Sequence, residues 1–186
     1  MDAFIQNLRS QIDQNTQSFQ QAFGSLDKDM LNAKPSPDTW SIGQNIHHLI
    51  IINESYVPVL KKAHQGEVKV PFWGKWPFVY NMLGNMILKS SGPVRDKKIK
   101  TFPIWQPASS DVPADIVQQF VQHQEKLKTL MTNAAPLLQQ NTLITSPANA
   151  NITYTLAKAF EIIVAHEQRH FNQAKEVQEQ LAAGSW

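Results

Sequence analysis

Four long stretches of this 186-residue sequence repeat apolar residues every three or four positions, and that period restricts the chain to a helical architecture. The first covers residues 2–23, with Phe4, Ile5, Leu8, Ile12, Phe19 and Phe23 on one stripe and Gly24 as a stop. The second opens at Ser41-Ile42-Gly43-Gln44, which has the form of a capping box, and carries Ile42, Ile46, Leu49, Asn53, Tyr56 and Leu60 to about His64. Pro58 inside this stretch predicts a kink or an early break near Glu54. The third long stretch begins near Pro113 and ends near Asn133, and the last spans 154–181. Between the second and third, residues 66–113 turn aromatic and proline-rich, and only 78–89 there has a helical pattern. Residues 139–151 read as a polar connection, and no strand-like alternation competes. The expected fold class is all-α: a four-helix bundle in one domain, 1–186, with an extra short helix and a long aromatic loop between the second and third main helices.

Composition limits the partners. The formal charge is only +2, and the one dense basic run, Arg95 to Lys100, reads as a solvated loop, so no nucleic-acid partner is expected. There is no cysteine, so the protein brings neither disulfide nor thiolate, and any thiol in its chemistry has to arrive as substrate. Residues 49–52 are the longest apolar run and are followed by Asn53 and Glu54, far short of the roughly 20 residues a membrane span needs. The N-terminal residues show no apolar core of signal-peptide length. These features make a cytoplasmic protein with no membrane partner the expectation. Trp73, Trp76 and Trp105 are too many large side chains to leave in water, and at least two of them are expected to cap the bundle core.

The chemistry concentrates in His166-Glu167-Gln168-Arg169-His170. Two imidazoles four residues apart lie one above the other on a helix, a bidentate site for a divalent metal, and the string matches the H-E-x-x-H of zinc peptidases. The longer peptidase string needs Gly and His where Gln173 and Glu176 stand, so the third ligand has to come from upstream, on another long helix. On a helical wheel Glu167 falls near the centre of the apolar stripe, between Ile163 and Ala174. A carboxylate there is costly without a partner, which makes Glu167 the catalytic candidate as acid or base, or the acceptor that holds a ligand histidine. The bland alternative is a helix end already clear of the core. His47 and His48, on opposite margins of the second helix, are the upstream candidates, and the wheel barely separates them. His64 and His123 read as solvent-facing.

Trp40-Ser41 at a helix start, His48-Leu49 about two turns on, and His166 to His170 followed by Gln173 together resemble the DinB/YfiT-like superfamily. The resemblance covers nearly the whole chain in helix order and spacing. It implies a bundle of up-down-down-up topology and a divalent metal, zinc or nickel, on three histidines. The family's upstream histidine is the one before Leu, which maps the metal ligands onto His48, His166 and His170. It further implies a homodimer, since members are often dimers, and a small-molecule substrate. Characterised relatives are thiol-dependent transferases and isomerases using low-molecular-weight thiols such as bacillithiol or mycothiol, and others are described as metal-dependent hydrolases. Residues 66–107 depart from the pattern, so substrate preference does not carry over. Three neutral imidazoles leave a coordination position open, as catalytic sites do, and activation of water and of a thiol both start from that arrangement. A metal-binding or stress-response module without catalysis, and a metal-free scaffold, are the alternatives.

Overall fold

Long amphipathic helices dominate the computed structural model, which describes residues 2–93, 101–107 and 111–184. In chain order the helices are α1 (Asp2–Phe23), α2 (Lys28–Asn32), α3 (Ile42–His64), α4 (Pro77–Ser91), α5 (Ile116–Asn133), α6 (Ala135–Gln139) and α7 (Leu156–Ala182). Single 3-10 turns at Phe72–Lys75 and Pro103–Trp105 interrupt the aromatic region. The basic run Arg95 to Lys100 lies outside the described residues.

The local signals account for the ends. Ser41 Oγ accepts from the Gln44 amide and the Gln44 side chain accepts from the Ser41 amide, a complete capping box that starts α3. Asp27 caps α2 and Thr155 caps α7, each accepting a backbone amide of the first turn. Pro58 does not break α3, which runs unbroken through it. Pro58 and Glu54 both lie on the exposed side of α3, where the Glu54 carbonyl that the proline leaves without a helical partner costs less than it would in the core.

The fold is mostly helical, as expected, and the correction to it is a small two-stranded sheet where no strand was expected. Residues read as a polar connection form an antiparallel hairpin of β1 (Leu143–Ser146) and β2 (Asn149–Thr155), with Ile144 opposite Tyr154 and Thr145 opposite Thr153. Its β-branched and aromatic residues bury Ile144, Thr153 and Tyr154. The hairpin packs against α4, and α4 against α7, so this pair covers one side of the long helices.

α1 and α3 each pack against both α5 and α7. The core between them falls into two apolar clusters. One gathers Leu8 and Ile12 of α1, Tyr56 and Leu60 of α3, Leu127 and Met131 of α5, and Phe160 and Ile163 of α7. The other gathers Phe19 and Phe23, Ile42 and Ile46, Ile116 and Phe120, and Ala174 and Val177. At the level between them each long helix places a buried polar side chain inward: Asn15, Asn53, Gln124 and Glu167.

Candidate metal centre

α7 supplies two imidazoles because His166 and His170 are one turn apart, and α3, packed alongside, supplies His48. One nitrogen from each lies within 4.8 Å of the others, and among the described residues this is the only group of His, Cys, Asp or Glu so placed. His48 Nε2 is 3.2 Å from His166 Nε2. The ring centroids of His48 and His166 each lie within 4.6 Å of His170.

Hydrogen bonds orient two of the three rings. His48 Nδ1–H donates to the Trp105 carbonyl at 2.5 Å, an acceptor that fixes the tautomer and leaves Nε2 unprotonated, with its lone pair facing His166 Nε2. His170 Nδ1–H donates to Asn45 Oδ1 at 2.8 Å, and Asn45 Nδ2 in turn donates to the Ser41 carbonyl at the start of α3. Trp40 lies against both rings, with centroids 4.8 Å from His48 and 5.9 Å from His170. Trp105 is itself pinned to α3 by its indole N–H, which donates to Ser55 Oγ.

Burial favours the neutral form of His48 and His166. Burial is the largest influence on His48, lowering its pKa to about 4 against the opposing pull of the Trp105 carbonyl. Burial, then His48 and the Arg169 guanidinium, lowers His166 to about 3. Neutral imidazoles with two lone pairs already aimed into one space fit a divalent cation. A tetrahedral zinc with nitrogens near 2.1 Å spaces them about 3.4 Å apart, close to the His48–His166 separation.

A cavity of about 930 Å³ adjoins the histidines, walled on their side by Trp40, Trp105 and Arg169 and extending to the hydroxyls of Tyr56 and Tyr154, which hydrogen-bond each other at 2.8 Å. Arg169 is held in place by donation to the Ser90 carbonyl at 2.8 Å.

Glu167 is fully buried and its side chain is not part of that cavity wall. It faces the bundle interior, where its oxygens accept one amide from each of the other three long helices: Asn15 Nδ2 at 3.2 Å, Asn53 Nδ2 at 2.9 Å and Gln124 Nε2 at 2.8 Å. Burial raises its pKa to about 7, and the three amides oppose that rise.

His47, only partly buried, is not part of the cluster, and His64 is exposed. His123 corrects the reading of a solvent-facing residue: it is 5 % exposed, with Nδ1 3.9 Å from Glu54 Oε1. Its polar neighbours Gln122 and Glu125 concealed its place on the inward stripe of Phe120, Gln124, Leu127 and Met131. The tryptophans are a second correction. Trp73 and Trp76 are about half exposed, and only Trp105 packs against the core. Asn45, Trp105 and the amides around Glu167 were missed. Asn53 did leave a signal, a polar residue in the middle of an apolar stripe.

The DinB superfamily model matches residues 11–174, from the first long helix to the end of the histidine motif. The chain belongs to the DinB superfamily. No curated protein and no solved structure matches it. Among the described residues of this DinB protein no helix is long and apolar enough to cross a membrane.

Proposed function

We propose that this DinB protein is a metal-dependent enzyme in which Nε2 of His48, His166 and His170 holds zinc or nickel with a position left open toward the cavity. The observation that carries this reading is the orientation of the rings: two unrelated acceptors, the Trp105 carbonyl and Asn45 Oδ1, take the Nδ1 protons and turn the Nε2 lone pairs of His48 and His170 inward. A divalent ion there would supply Lewis acidity toward a small nucleophile, water in a hydrolase or a low-molecular-weight thiol in a transferase.

The chain's own groups do the rest. Trp40 and Trp105 shield the cluster from solvent, and the cavity, near the upper end of the usual range for small-molecule sites, has room for a thiol together with its electrophile. Glu167 is a positioning residue in this reading: it fixes the register of α7 against its neighbours and so the height of His166 and His170. The placement of helix ends supports the family's up-down-down-up order, since α1 and α7 run from the first apolar cluster to the second and α3 and α5 run back.

Metal analysis of protein purified without a histidine tag is the test. Near-stoichiometric zinc or nickel is expected, lost in His48→Ala, His166→Ala and His170→Ala and retained in His47→Ala and His123→Ala. Wild-type protein that takes up no divalent metal would overturn the proposal. Turnover of an ester and amide panel, against conjugation of an electrophile by added thiols, then assigns the reaction, and metal-loaded protein inert in both is a non-catalytic binder.

A further inference from the structure

The outer face of α4 does not look like the outside of a soluble helix. Its inner residues Gly84, Ile87 and Leu88 pack inward, but the outward stripe at four-residue spacing is Phe78, Met82 and Met86, exposed to 76, 48 and 57 %. The 3-10 turn before it adds Phe72, Trp73 and Trp76, exposed to 74, 49 and 55 %. Six large apolar side chains thus form one raised face beside the hairpin, well beyond scattered surface hydrophobics.

The charge around this face is lopsided. Residues 68–93 hold three lysines and no Asp or Glu, a net +3, which leaves −1 for the remainder of the chain. The described lysines of that stretch, Lys69, Lys75 and Lys89, are all exposed, and no acid occurs between Val68 and Pro93. We infer that this face adsorbs to an anionic lipid bilayer, with α4 lying in the plane of the headgroups, its Phe and Met side chains in the acyl boundary, Trp73 and Trp76 at headgroup level and the lysines on lipid phosphates. A second copy of the chain is a poorer occupant, because pairing the face with itself brings the cationic rims of two molecules together. Single-stranded nucleic acid fits less well too, since a helical stripe of Phe and Met lacks a series of stacking platforms. No described helix is long and apolar enough to span the bilayer, so the contact is with one leaflet.

Vesicle co-sedimentation and tryptophan emission of the full chain test this. With vesicles of phosphatidylcholine and phosphatidylglycerol, the protein should sediment with the lipid and its emission should shift to the blue, whereas with phosphatidylcholine alone both effects should be weak. Phe78→Ser with Met82→Ser should reduce partition by at least about tenfold, given the apolar area withdrawn. Lys75→Glu and Lys89→Glu should each cost about fivefold or more. Circular dichroism of these surface variants should match wild type. No association with anionic vesicles overturns the proposal. So does a concentration-dependent dimer, or binding of a single-stranded oligonucleotide, that the same variants abolish while vesicle binding is absent.

Discussion

Asn45 does two things with one amide: its oxygen takes the Nδ1 proton of His170 and its nitrogen is anchored on the Ser41 carbonyl, so the orientation of a candidate ligand is tied to the cap of α3. Asn45→Ala should therefore lower metal affinity by about 10- to 100-fold while leaving the helices intact, as competition titration with a chelating dye would measure. Glu167 calls for a different experiment. In Glu167→Gln a side-chain amide replaces one of the two acceptor oxygens and meets a neighbouring amide donor head-on. That variant is expected to lose about 1–3 kcal/mol in chemical unfolding, through an unsatisfied buried group. If stability is unchanged and only turnover falls, the carboxylate acts in the chemistry and the positioning role is wrong. His166 and His170 were legible because an i, i+4 pair depends on one helix alone. The amide cage was not, because its donors come from three other helices, 43, 114 and 152 residues from Glu167, and pairing between helices leaves no mark in local spacing.

At the level of elements, α3 carries its proline at no visible cost in continuity, since Glu54 and Pro58 both stand on the wet side. Restoring the missing helical hydrogen bond with Pro58→Ala should stabilise the protein by about 1–3 kcal/mol, read as a higher denaturation midpoint at unchanged slope. A lower midpoint would show that the proline is required where it stands. The long helices were readable from their period because it repeats over five or more turns. Strands of four and seven residues give too few repeats; Asn149 and Asn151 made the first half of β2 look like a polar connection, and Tyr154 and Thr155 were read as the start of the last helix. Tyr154 shows why the hairpin matters: its hydroxyl reaches Tyr56 on α3 and closes the far end of the cavity.

For the molecule as a whole, acid should act through the buried imidazoles. Burial lowers His48, His123 and His166 below their ordinary 6.5, so the unfolded chain binds their protons first. Their contribution to stability is complete above pH 6.5 and is lost as pH falls through the folded values, about 4 for His48 and about 3 for His166. Glu167, raised to about 7, contributes in the opposite sense: fully below its ordinary 4.5, and lost as pH rises through 7. Between pH 4.5 and 6.5 the single carboxyl only partly offsets the imidazoles, so metal-free protein should lose stability as pH falls across that window and go on losing it until His48 and His166 are protonated. Zinc at about a thousand times its dissociation constant should add about 4 kcal/mol at neutral pH, on the order of 8–16 °C in melting temperature for a domain of this size. A melting curve indifferent to zinc would contradict a three-histidine site. One contact extends this linkage beyond the ion. Trp105 grips His48 with its carbonyl and Ser55 with its indole, so the segment 101–107 and a metal ligand rise or fall together. By reciprocity, whatever factor an ion bound at His48 would add to the docking of that segment, the docked segment would add to the hold on the ion.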